Sequence, residues 1–214
     1  MPRKIVPISS VHPYHITARC INREWFNLPL ETVWSLMEDY LFLVHHGFHL
    51  KIHSFVLMKN HFHCLASSPQ ANLSSAMNYF MRETSREITR LSGRVNQTYG
   101  GRYHRSLIPS DHYYMNAYKY IYQNPVRAKL SERVEEYGYS TLTGLLGIKK
   151  ITIPLEEDRL LFTPSLDKGC LKWLNRIPED EHVEEMRKAL KRPYFKFNTV
   201  RKTNKPSQLE NELL

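Results

Sequence analysis

Cysteine is scarce in this chain. Cys20, Cys64 and Cys170 are spread across 214 residues and form no Cys-x-x-Cys pair. That spacing argues against a disulfide framework and against a thiolate metal site, and reads as reduced thiols in a cytosolic protein. Long apolar runs are missing too. A bilayer-spanning helix needs about 20 such residues, so no membrane partner is expected. Met1-Pro2-Arg3-Lys4 is basic, but no extended apolar segment follows it, and no export signal is read there. There are no internal repeats or low-complexity tracts. Acidic residues are outnumbered: 21 Asp and Glu face 30 Lys and Arg, for a formal charge of +9 and a pI near 9.4. An excess of that size favours a polyanionic partner, most simply nucleic acid, and a cytoplasmic, nucleoid-associated location. What is present suffices for folding: 42% of residues are hydrophobic, and the length allows one core with an appendage or two small domains.

The most informative stretch is Phe55-Val56-Leu57-Met58-Lys59-Asn60-His61-Phe62-His63-Cys64-Leu65-Ala66. Two strand-like runs broken by Lys59-Asn60 predict a tight hairpin. Alternation along the second strand puts His61 and His63 on one face and Phe62 on the other. Two imidazoles on one rigid face are a ready pair of metal ligands. On its own the pattern equally describes two surface histidines on an edge strand. Support comes from residues 111–124, which carry helical spacing. Tyr114, Ala117, Tyr118 and Ile121 share an apolar face, while Asn116, Tyr120 and Asn124 fall on another stripe, one turn apart. That stripe offers a phenol beside an amide. Tyr114 and Tyr118 belong to the apolar face, and Tyr122 sits about 200° round the helix from Tyr120.

The rest of the chain supplies a frame. Residues 12–21 alternate as a first strand, with Tyr14, Ile16 and Ala18 on one face and His15, Thr17 and Arg19 on the other. Residues 30–46 form a helix that Gly47 can close. Residues 50–58 and 61–67 are strands, and residues 72–91 a second helix. Residues 103–108 are a fourth strand before the tyrosine helix, which Asp111 can cap and which is expected to end at Asn124, because Pro125 disfavours helical backbone in the residue before it. Strand, helix, strand, strand, helix, strand is the ferredoxin-like order, an α+β fold, with the tyrosine helix added. The expected architecture is an antiparallel sheet with helices on one face. The domain reading is 1–147 for the main unit and 148–214 for a C-terminal helical and extended tail. That tail is expected to hold helices at 165–174 and 179–191, an aromatic and basic segment Pro193-Tyr194-Phe195-Lys196-Phe197, and a disordered polar end from Asn204.

Tyr14-His15-Ile16-Thr17-Ala18-Arg19, Val56-Leu57-Met58-Lys59-Asn60-His61-Phe62-His63, Asn72-Leu73-Ser74 and Tyr120-Ile121-Tyr122-Gln123-Asn124-Pro125-Val126-Arg127-Ala128 occur in that order. Together they resemble the REP-associated tyrosine transposases of the HUH endonuclease superfamily, over roughly residues 12–145. Lys59 departs from the proline that family usually has before Asn-His, which alters the turn but not the ligands. The resemblance implies a single-stranded DNA endonuclease and strand transferase that cuts and rejoins at REP-like hairpins. It implies Tyr120 as the nucleophile, forming a 5′-phosphotyrosine, and Mg²⁺ or Mn²⁺ held by His61, His63 and Asn124. Gln123 is the second choice for the third ligand. It further implies a monomer, with a dimer as the alternative. Charge and expected proximity nominate Arg19, Arg82, Arg86, Arg102, Arg105, Lys119 and Arg127 for DNA. The competing reading is a catalytically silent DNA-binding protein derived from a transposase. A water-using metal nuclease and a rolling-circle initiator are more distant alternatives.

Overall fold

Alternation builds the sheet. The computed structural model describes residues 7–156, 168–197 and 206–214. Its four strands are β1 (Tyr14–Arg19), β2 (Lys51–Met58), β3 (His61–Ser67) and β4 (His104–Leu107). They form one antiparallel sheet in the order β2-β3-β1-β4. β2 and β3 are joined by the expected tight turn at Lys59-Asn60. β1 and β3 are central, and their register sets Thr17 opposite His63 and Arg19 opposite His61. The period of two therefore gives the sheet two unlike faces.

One face is hydrocarbon. Tyr14, Ile16 and Ala18 of β1 and Phe62, Cys64 and Ala66 of β3 are buried there with Ile52, Phe55 and Leu57 of β2. They are covered by α1 (Leu30–Phe48) and α2 (Leu73–Ser92), which contribute Val33, Trp34, Met37, Leu41, Ala76, Met77, Phe80 and Ile88. His49, not Gly47, takes the left-handed conformation that ends α1, at φ 53°. Gly93 does the same for α2 at φ 66°, where it carries no Cβ penalty.

The opposite face is covered by α3 (Asp111–Arg127), outside the helix pair of the ferredoxin-like frame. Ser110 is its N-cap, accepting from the Tyr113 amide. The helix does not stop at Asn124: it runs one turn further with Pro125 inside it. Pro125 has no N–H for the Ile121 carbonyl. Asn124 answers locally, its Nδ2 reaching the Tyr120 carbonyl at 2.8 Å and the Ile121 carbonyl at 3.4 Å.

The C-terminal segment is built into this second layer. α4 (Thr141–Leu145) follows α3, and α5 (Lys168–Asn175) and α6 (Asp180–Leu190) pack on it, with Leu174, Val183, Met186 and Leu190 in the same cluster as Tyr118 and Ile121. Residues 165–167, expected in α5, lie outside the described residues. Both sheet edges are occupied. Tyr139 and Ser140 run along β2, and residues 193–195 bond β4 through Leu107 and Phe195. Residues 206–214, expected to be disordered, instead hold a 3₁₀ turn at Gln208–Glu210 and bury Leu209 and Leu214. The sequence reading weighted their polarity and missed these two leucines, which drop into the α3 cluster. Asn204 and Lys205 lie outside the described residues.

Candidate active site

Three imidazoles gather where β1 and β3 meet α3. His61 and His63 share a face as alternation requires, with ring centroids 5.0 Å apart. His15, one strand away, hydrogen-bonds His63: its Nε2 is 2.9 Å from His63 Nδ1. His61 Nδ1 is 2.8 Å from Asn60 Oδ1, the turn residue just before it. An imidazole whose Nδ1–H donates to such a partner presents a lone pair at Nε2. His61 and His63 can therefore each offer Nε2 to an ion. For His63 this requires its Nδ1–H to donate to His15, which then carries its own proton at Nδ1, a buried atom with no partner among the described residues.

The charge state of the rings suits ligation. Burial, helped by His104, pulls the His15 pKa down to about 3. Burial and Arg19 bring His61 to about 3. Burial first, then His15, His61 and nearby arginines, hold His63 well below the usual histidine value. All three are neutral at pH 7, and a metal ligand must be.

Tyr120 faces this group. Its ring lies edge-on to His63 at 6.0 Å and to His15 at 6.4 Å. It lines a cavity of about 1000 Å³ with His15, His61, His63 and Asn124. The neighbouring tyrosines of α3 are placed elsewhere: Tyr114 and Tyr118 stack in the apolar cluster, and the Tyr122 hydroxyl is 2.9 Å from Thr141 Oγ1.

Among the described residues, no three His, Cys, Asp or Glu side chains are grouped to hold a metal. A third protein donor to an ion at this place would be of another kind. Asn124 fits: it lines the cavity, and its Nδ2 is committed to the backbone, which leaves Oδ1 as its candidate donor. Gln123 does not. It is 3% exposed, its Nε2 donates to the carbonyls of Leu174 and Arg176 at 2.8 Å each, and it is absent from the cavity lining. Helical rotation of 100° per residue turned it towards α5. Two neutral imidazoles and an amide oxygen suit a divalent ion while leaving coordination positions open.

The basic residues nominated from the sequence divide sharply. Arg19, Arg102 and Arg127 line the cavity. Arg82 and Arg86 sit on α2, across the sheet, where both meet Glu83. Arg105 is also on that side, over the Tyr14 ring and bonded to Ser74 Oγ at 3.1 Å. Lys119 is fully buried, with its Nζ 2.6 Å from the Leu214 carbonyl and 5.4 Å from the Trp173 ring centroid. Charge and expected proximity carried those four nominations, and charge says nothing about which face a strand or helix presents. Residues not nominated for the site also line the cavity: His15, Arg23, His104, Arg187 and Lys191. Strand alternation already put His15 on the face of Arg19. Nothing in the sequence announced Arg187, because it comes from a segment more than sixty residues beyond Tyr120.

Residues 9–135 match the model of the family described as transposase IS200 like. The chain belongs to the IS200-like transposase family. Among solved structures, the fold is similar to one titled "Structure of the REP associates tyrosine transposase bound to a REP hairpin". The TM-score is 0.59 at 19% sequence identity, over 74% of this chain and 93% of that one. No curated protein matches. No helix of the described residues is long and apolar enough to cross a membrane.

Proposed function

We propose that this IS200-like transposase cuts and rejoins single-stranded DNA through a covalent tyrosine intermediate, at hairpins of the REP type. The carrying observation is the meeting of Tyr120 with His61, His63 and Asn124 in one cavity walled by Arg19, Arg102 and Arg127. In the first step the Tyr120 oxygen bonds to phosphorus as the bond from phosphorus to the 3′-oxygen breaks. The phenolic proton is released, and the 3′-oxygen ends as a hydroxyl. The 5′-phosphotyrosine conserves the energy of the cut linkage, so a 3′-hydroxyl of another strand can reverse the step without ATP. The arginines hold the strand by its phosphates. His15 orients His63, and the Asn60 carboxamide orients His61. Mg²⁺ or Mn²⁺ bound by His61, His63 and Asn124 would polarise the phosphate and stabilise the leaving oxygen. Imidazole suits Mn²⁺ better, and cellular abundance favours Mg²⁺. The protein is proposed to work in the cytoplasm at the nucleoid, as a monomer.

The deciding experiment incubates the protein and Mn²⁺ with single-stranded oligonucleotides from repeats flanking its own gene. A covalent adduct running slowly on a denaturing gel is expected, and Tyr120→Phe should abolish it while folding and DNA binding remain. Cleavage without an adduct would point to a water nucleophile. An adduct that survives Tyr120→Phe but disappears in Tyr122→Phe would overturn the assignment. DNA binding without either product would favour the silent alternative.

A further inference from the structure

The sheet and α3 build most of the cavity, but α6 contributes a wall. Val183, Met186, Ala189 and Leu190 bury one side of α6 in the cluster that holds α3. That docking brings Arg187, with Leu190 and Lys191, to the cavity beside Tyr120. Glu184, one turn earlier, takes a hydrogen bond from Arg187 Nη1 at 2.8 Å and steers the guanidinium. Partial burial lowers the Arg187 pKa, but the Tyr120 hydroxyl and the Glu184 carboxylate reverse this and leave it raised. Arg187 and Arg19 line the cavity that Tyr120 also lines, and the tyrosine bears on the charge of both.

We propose that Arg187 is a catalytic cation delivered by the C-terminal segment, holding the Tyr120 hydroxyl at rest and the scissile phosphate during strand transfer. This rests on the reading of Tyr120 as the nucleophile. Arginine suits the task because its planar fork can keep Glu184 on one edge while the other turns to an anion, and it stays charged throughout. As the bond between the Tyr120 oxygen and phosphorus forms and that to the 3′-oxygen breaks, Arg187 exchanges the hydroxyl for a non-bridging phosphate oxygen. The phenolic proton leaves to water in the open cavity, water returns one to the 3′-oxygen, and Arg187 transfers none. The 148–214 segment then supplies part of the active site and is more than an appendage.

Two measurements separate this inference from the reading beneath it. The first needs no cleavage. The side-chain ¹⁵Nε–¹Hε signal of Arg187, identified by its loss in Arg187→Lys, should move when Tyr120→Phe removes the hydroxyl. It should move again when a short thymidine oligonucleotide is added to the Tyr120→Phe protein. A signal indifferent to both changes sinks the proposal. The second follows adduct formation in a single turnover. Arg187→Gln should slow it about 100-fold, as loss of one oriented donor to a transition state does, with affinity for the uncut strand changed only a few fold. Arg187→Lys should restore part of the rate, and methylguanidinium should partly rescue Arg187→Ala. An unchanged or faster rate in Arg187→Gln overturns the catalytic role. If the wild-type protein forms no adduct while the Arg187 signal answers DNA, the strand-transfer reading has failed, and Arg187 is left as a phosphate contact without a catalytic part.

Discussion

The two faces of one sheet make different demands on neighbouring residues. In β3, Phe62 meets Phe55, Phe80 and Tyr99 on the α1/α2 face, at centroid separations of 5.5, 5.6 and 6.3 Å. His61 and His63, on either side of it, face α3 and the cavity. The apolar face is held by area removed from water, which is indifferent to direction. The other face is held in part by oriented bonds such as His15 to His63 and Tyr137 to the Leu57 carbonyl at 2.7 Å. A register slip of one residue would exchange the two sets. The dense apolar face is what locks that register and so keeps the imidazoles aimed.

The comparison breaks most clearly at the histidines. His61→Ala and His63→Ala should each lower adduct formation by at least about 100-fold, in the range seen when a group aimed at the transition state is removed. Excess EDTA should do the same to the wild type. DNA affinity should hold within a few fold, and normal cleavage in EDTA would remove the metal from the scheme. Between those histidines, Phe62→Ala should have the opposite profile. A buried aromatic truncated to alanine costs about 3–5 kcal/mol, read as a lower urea midpoint, while His63→Ala should cost far less. Equal stability losses at both positions would erase the division between faces.

A smaller effect sharpens the electrostatic contrast. Arg19→Ala and Arg102→Ala should weaken single-strand binding and each reduce the slope of log affinity against log salt by about 1. Arg82→Ala and Arg86→Ala, across the sheet, should leave both nearly unchanged; a loss of affinity there would extend the DNA track around the molecule. The smallest effect concerns thiols. Burial pushes Cys20 and Cys64 up to about 12. At pH 8 a thiol reagent should reach Cys170, which is part-exposed, well before the other two. Their folded values lie above the ordinary 9, so the folded state keeps protons that the unfolded chain releases. Their contribution to stability should be complete below pH 9 and decline as pH rises towards 12. Reaction of Cys64 at pH 8 without denaturant would show that the apolar face opens.

Much of the fold and part of the site were legible before coordinates. The turn at Lys59-Asn60, the alternation that separates Phe62 from its histidines, and the apolar stripe of Tyr114, Ala117, Tyr118 and Ile121 are local patterns, set by periods of two and 3.6. The same periods set Tyr114 and Tyr118 on the apolar face and Tyr122 round the helix from Tyr120, whose role only the family resemblance implied. The failures are equally physical. The helix was expected to stop before Pro125, but the Asn124 side chain bonds the carbonyl that proline leaves open. Lys119, Arg82, Arg86 and Arg105, nominated by charge and expected proximity, lie off the cavity, because charge carries no information about facing.

Local pattern, then, was enough to say which residues share a strand face or a helix stripe, because backbone geometry repeats at fixed intervals whatever surrounds it. It could not say which faces meet. Only packing brought His15 against His63, turned Gln123 into α5, sent Arg82 and Arg86 to the far side, and carried Arg187 to Tyr120. Those outcomes depend on burying apolar surface between segments far apart in the chain, and spacing along a sequence holds no measure of that.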